Sequence, residues 1–249
     1  MKPENIWQSL LRQSSGETFR QEMVAGVPEP GRRYLLHAMQ PGTPLTNSVE
    51  LDMTGRFRGS PKAKWMPLRA SQVLALPGGF VWKASIGGIV RITGSDRYFQ
   101  GEGALDWRLW GLVPVMRASG PDITRSARGR LAVEAAVWLP AVLLPCNGAE
   151  WEPVDDSTAK VILTADGEAF EILFSIAPNG ALEKVRLNRW GNHLTPGGAF
   201  RPIPFGATVS EEQTLAGCTV PTRIAAGWRP GTDDYFEFFQ VKLTRVHYR

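Results

Sequence analysis

From Val49 to His247 this sequence repeats one pattern about a dozen times and interrupts it once. Apolar and polar residues alternate with a period of two, in runs closed by Gly, Pro, Asn and Asp. Val49, Leu51 and Met53 alternate with Glu50, Asp52 and Thr54, as in a strand with one buried face. Further strands are expected at Met66–Ala75, Phe80–Ile86, Ile89–Phe99 and Ala104–Leu112, the last two joined around Gly101-Glu102-Gly103. Pro114 and Ser119-Gly120-Pro121 close this first series. A second series is expected at Trp151–Val154, Ala159–Thr164, Glu168–Ile176, Leu182–Trp190, Phe200–Glu211, Thr219–Gly227 and Phe236–His247. Asp166-Gly167 and Asn179-Gly180 are hairpin signals, because both pairs tolerate positive φ. Short turns between consecutive strands imply an antiparallel meander. About 10–12 strands are more than a flat open sheet carries, so the sheet must curl. The expected fold is mainly β (α+β): a strongly curved antiparallel sheet or half-barrel with a central helix in its concave face.

The interruption is that helix. Pro121 suits a first helical position, Ser119 or Gly120 can cap it, and Pro140 ends it, giving a helix over residues 121–139. At 100° per residue, Ile123, Ala127, Leu131, Val133, Val137 and Trp138 share one apolar arc. Arg130 and Glu134 fall in the middle of it. A charged pair at the centre of a buried stripe must be satisfied or used. One role for it is a structural ion pair that fixes the helix in the sheet. The other is catalytic: Glu134 as acid or base and Arg130 as stabiliser of developing negative charge.

Residues 1–42 read as short helices broken by Pro28, Pro30 and Pro41-Gly42, a cap over an open end of the sheet with too little apolar content to fold alone. The whole chain, residues 1–249, is expected to be one domain. Its 28 basic and 24 acidic residues leave a net charge of +4, concentrated at Arg56, Arg58, Lys62, Lys64 and Arg69 around Trp65. That is a local patch rather than the continuous basic face of a nucleic-acid binder, and no nucleic-acid partner is expected. Met1–Gln21 is polar and lacks an export signal, and no apolar run is long enough to span a bilayer. A cytoplasmic protein with Cys146 and Cys218 reduced is therefore expected.

Sites of familiar chemistry are missing. His37, His193 and His247 stand in three distant segments without metal-ligand spacing. There is no phosphate-binding glycine loop and no G-x-S-x-G elbow, so neither metal nor cofactor is expected. Asp96-Arg97-Tyr98 opposite Asp106 and Arg108 reads as a salt ladder on the outer face, with Arg97 across from Asp106 if Gly101-Glu102 is the turn. Nine tryptophans, among them Trp82, Trp107, Trp110, Trp138 and Trp228, either fill a large curved sheet or line a cavity for an apolar ligand.

One block carries a resemblance: Gly111-Leu112-Val113-Pro114-Val115, Ser119-Gly120-Pro121-Asp122, Arg125-Ser126, Gly129-Arg130-Leu131, Glu134 and Val137-Trp138-Leu139-Pro140. With Asp96-Arg97-Tyr98, Trp190-Gly191, Pro204-Phe205-Gly206 and Gly227-Trp228, it resembles an uncharacterised, mainly bacterial family, from about Tyr34 onward. That family has no established activity to carry over. In architecture the chain is similar to the Lol-type lipoprotein carriers, half-barrels whose concave face holds acyl chains. That resemblance implies binding of a hydrophobic or amphipathic, lipid-like small molecule. Leu131, Trp138, Trp107 and Trp110 would be walls, with Arg97 and Tyr98 beside them and Arg130 and Glu134 at the polar head. A cofactor-free enzyme in the same cavity is the first alternative. A structural or interaction module using exposed edge strands is the second.

Overall fold

A computed structural model describes residues 1–11, 16–192 and 198–249, and His193 lies outside them. The described residues form one antiparallel sheet of thirteen strands, curved and unclosed. The first half holds β1 (Ser48–Phe57), β2 (Met66–Ala75), β3 (Gly79–Gly87), β4 (Arg91–Phe99), β5 (Glu102–Leu109) and β6 (Val113–Ser119). The second holds β7 (Glu150–Pro153), β8 (Thr158–Ala165), β9 (Glu168–Ile176), β10 (Leu182–Gly191), β11 (Arg201–Leu215), β12 (Cys218–Trp228) and β13 (Phe236–Tyr248). The strands run in the order β6-β5-β4-β3-β2-β1-β13-β12-β11-β10-β9-β8-β7, two meanders joined by the pairing of β1 with β13. The helices are α1 (Pro3–Leu10), α2 (Gly31–Ala38) and α3 (Pro121–Trp138).

Strand β6 is the one the pattern did not announce. Pro114 was expected to end the meander, yet it lies opposite Arg108 beside a bulge on the outermost strand. A proline costs nothing there if its missing N–H would have faced no partner strand. The turn between β4 and β5 is also displaced by one residue. Gln100 and Gly101 take φ of 51° and 77°, a two-residue turn, so Phe99 pairs with Glu102 and Arg97 with Ala104. Asp106 faces Ser95 and takes its ion pairs from Arg108 and Arg117, so the expected Arg97–Asp106 rung does not form.

Alternation along these strands decides what faces inward. One inner row crosses five strands as Met53, Ala70, Ala84, Gly94 and Trp107. Its small residues make room: a Cβ on Gly94 would stand 2.7 Å from the Trp107 ring. The adjacent row reads Leu51, Gln72, Trp82, Asp96 and Leu105, with two polar groups among apolar ones. Helix α3 links the two outermost strands across the concave face and buries Leu131, Ala132, Ala135 and Ala136 completely.

The two N-terminal helices pack in different places. Helix α1 packs Ile6 and Leu10 on Val73, Ala75 and Val81, which face the convex side of the sheet. Helix α2 joins the main core through Tyr34, Leu35 and Ala38. Among the described residues no helix is long and apolar enough to cross a membrane, and no group of His, Cys, Asp or Glu is arranged to hold a metal.

Candidate functional site

The charged pair of α3 faces the sheet, as its place on the helix requires. Arg130 Nε donates to Glu134 Oε1 at 2.7 Å and its Nη1 donates to Asp96 Oδ2 at 2.9 Å. Both side chains of the helical pair are less than a fifth exposed, at 16% and 19%. The second oxygen of Glu134 accepts from Gln72 Nε2 at 2.6 Å, and the second oxygen of Asp96 accepts from Trp107 Nε1 at 2.8 Å. The two polar interruptions of the inner row therefore receive the helix. The guanidinium also lies over the Phe80 and Trp82 rings, at 4.8 and 4.9 Å.

Asp96 thus belongs to the inner cluster and not to an outer salt ladder. Burial raises its carboxyl above the usual aspartate range, outweighing the neighbouring Arg130 and the Trp107 hydrogen bond. Arg97, one residue on, points to the convex face and lines a groove of about 1040 Å³ with Asp52, Lys83 and Asp106. Tyr98 turns inward again and is fully buried. Its hydroxyl donates to Asp166 at 2.5 Å and accepts from Arg128 Nε at 3.0 Å. Arg128 and Arg125 both reach Glu168, so these side chains bridge β4, α3 and the β8–β9 turn across the open sheet.

A second buried arginine completes the cluster. Arg189 follows Val185 and Leu187 on the inward side of β10. It is only 8% exposed, with its guanidinium over Phe205 at 4.5 Å and Trp228 at 5.2 Å. Its Nε has no hydrogen-bond partner, and its Nη2 makes one long contact of 3.4 Å to the Ser126 carbonyl. No carboxylate lies within ion-pair distance of it among the described residues. Burial, and then Arg130, pull it down to about 10, while Glu134 and Asp96 act in the opposite sense.

Between the two arginines runs a floor of rings. Phe205, Trp228, Phe238, Phe239, Trp82 and Trp107 follow one another at centroid separations of 5.1 to 6.3 Å. Phe57, Phe238 and Phe239 remain partly exposed, and they mark where the helix stops covering the concave face. Trp107 belongs to this floor. Leu131 and Trp138 belong to the helix itself and are buried in the core, and Trp138 Nε1 has no partner. Trp110 lies outside the concavity, half exposed at the β5–β6 turn. Gln72 and Arg189 carry no motif in the sequence, and their one signal there is an inward position in an alternating strand.

His37 Nε2 sits 2.8 Å from Glu212, and His247 lies near Glu50, so these two do not converge. Cys146 and Cys218 are free thiols, the first exposed and the second buried.

A family model described as a family of unknown function, DUF6544, matches residues 17–241. This agrees with the uncharacterised family expected from the sequence. Several solved structures align at low identity. A LolA superfamily protein from Nitrosomonas europaea is 12% identical, with 88% of this chain and 91% of that one covered and a TM-score of 0.45. A DUF1329 family protein from Desulfovibrio piger is 12% identical, with 82% and 86% covered and a TM-score of 0.44. No curated protein matches.

Proposed function

We propose that this chain, which belongs to the DUF6544 family of unknown function, binds an amphipathic small molecule with an acidic head group. The apolar part lies on the ring floor where Phe57, Phe238 and Phe239 are uncovered, and the head is received by Arg189. One observation carries this reading: Arg189 is a buried cation whose Nε has no acceptor. Burying a charge without a partner is costly, and a carboxylate or phosphate would relieve it with a charge-assisted hydrogen bond. The rings supply the apolar wall that such sites use, with few polar groups to fix orientation. Proton transfer by Glu134 has less support, because both of its oxygens already accept hydrogen bonds, from Arg130 and Gln72. Arg130 and Glu134 act in this account as the ion pair that seats the helix.

Calorimetric titration with laurate and with dodecanol tests the reading. The two probes share a chain and differ in the head. Laurate is expected to bind about tenfold or more tightly than dodecanol, the worth of one charge-assisted hydrogen bond. Equal affinities would remove Arg189 from the site, and absence of binding by both would remove the site.

A further inference from the structure

Strong exposure of large apolar side chains gathers at two neighbouring hairpin tips. At the β3–β4 tip Ile89 is 98% exposed and Val90 is more than half exposed. At the β5–β6 tip Leu112 is 76% exposed, with Trp110 and Val113 more than half exposed. The tips are tied together. Trp110 Nε1 donates to the Ile89 carbonyl at 3.1 Å, and the Trp110 backbone N–H donates to the Arg91 carbonyl at 2.9 Å. Trp110 itself is held at φ 51°, a conformation that a bulky side chain adopts only at a cost. The backbone thus fixes an indole outward, in water, beside four aliphatic side chains.

The tips themselves carry no acidic residue. Residues 87–93 and 109–118 contain no Asp or Glu, and they contribute Arg91 as well as Arg117, which is ion-paired with Asp106. The antiparallel order makes the β1–β2 loop emerge from the same end of the sheet as the two tips. That loop carries Lys62 and Lys64, both exposed and without an acidic partner among the described residues. Arg56 and Arg58 stack on Trp65 at its base, at 4.8 and 4.7 Å. A shallow groove lined by Gly55, Pro67, Arg69, Gly87, Gly88 and Arg91 joins loop to tip.

We propose that the paired tips, Ile89-Val90 and Trp110-Gly111-Leu112, insert into the surface of an anionic lipid bilayer, with the Lys62–Lys64 loop held against the headgroups. The shape fits that occupant: side chains that protrude from narrow turns enter an interface, whereas a protein partner would need a broad complementary face. The chemistry fits as well. Tryptophan and aliphatic residues partition into the headgroup boundary, and neighbouring lysines and arginines favour anionic lipid. The proposal stands independently of the ligand assigned to the concave face.

Co-sedimentation with large vesicles tests it, using phosphatidylcholine alone and phosphatidylcholine mixed with phosphatidylglycerol. The protein is expected to pellet with the mixed vesicles at low salt and at least tenfold less with phosphatidylcholine alone. Ile89→Ser with Trp110→Asn, where asparagine tolerates the same left-handed turn, is expected to lower partitioning about tenfold or more, from the apolar surface lost. Leu112→Ser touches a different turn residue and is expected to act in the same direction. Lys62→Glu with Lys64→Glu is expected to remove the preference for phosphatidylglycerol and its salt dependence. Melting temperatures verify that each variant is folded. Failure to pellet with the mixed vesicles, or variants that pellet like the wild type, would overturn the proposal. So would a dimer, seen by light scattering without vesicle binding, that these tip substitutions dissolve.

Discussion

The concave face holds two buried arginines that differ in almost everything except burial. Arg130 has two carboxylates within 2.9 Å, and those carboxylates are themselves satisfied by Gln72 and Trp107. Arg189 has two ring faces and one long carbonyl contact. The first is a finished structural element: every strong acceptor near it is occupied, and it locks α3 to β2 and β4. The second is unfinished, and a ligand could complete it. Burial of charge alone therefore does not mark a site, whereas burial with an unmet hydrogen bond does.

That comparison makes the largest predicted effect a difference in stability. Arg130→Met leaves Asp96 and Glu134 buried without their cation, and is expected to cost about 3–5 kcal/mol in urea denaturation. Arg189→Met removes a cation that has no partner carboxylate, and is expected to cost less than about 1 kcal/mol or to stabilise. Equal losses would break the distinction. Glu134→Gln keeps the shape and leaves Arg130 its bond to Asp96, so a smaller cost of about 1–3 kcal/mol is expected. A loss as large as that of Arg130→Met would assign the seating of the helix to the pair alone and leave Asp96 no part in it.

The smallest effect is one of pH. The Asp96 carboxyl is raised in the folded state, so the native protein holds this proton more tightly than the unfolded chain does. Its stabilising contribution is complete below the ordinary aspartate value and is lost as the pH rises through the folded value. Glu211 has the opposite sign. Arg223 and Lys242 hold it down to about 2, so its contribution is present above the ordinary glutamate range and fades in acid. Subtracting the stability–pH curve of Asp96→Asn from that of the wild type should show a stability difference that declines from acid toward neutral pH. A difference that grows toward neutral pH would show that Arg130 outweighs burial.

Much of this architecture was visible in the sequence because one signal, the period of two, recurs along it. The strand expected at Glu168–Ile176 has those bounds in the fold, and the helix expected over residues 121–139 runs from Pro121 to Trp138. The inward direction of Arg130 and Glu134 followed from helical geometry. Strand β6 was hidden because all but one of its residues are exposed, leaving no alternation to read. The slip at Gln100-Gly101 was hidden because either of two adjacent residue pairs could form the turn, and only pairing selects one. Asp96 reads as an outer-ladder residue, and Arg189 carries no motif, for a different reason. Their parity with Gly94 and Tyr98, and with Val185 and Leu187, placed them inward, but a charged residue in a strand is ordinarily solvated. Applying parity to polar residues as strictly as to apolar ones would have found both.

Arg189 is the proposed receiver of an acidic head. The most direct test of this role is the affinity for laurate of the Arg189→Met protein, measured calorimetrically beside the wild type. The predicted result is a loss of about tenfold or more, in a protein whose melting temperature falls by no more than about 4 °C or rises. An affinity equal to that of the wild type would contradict it.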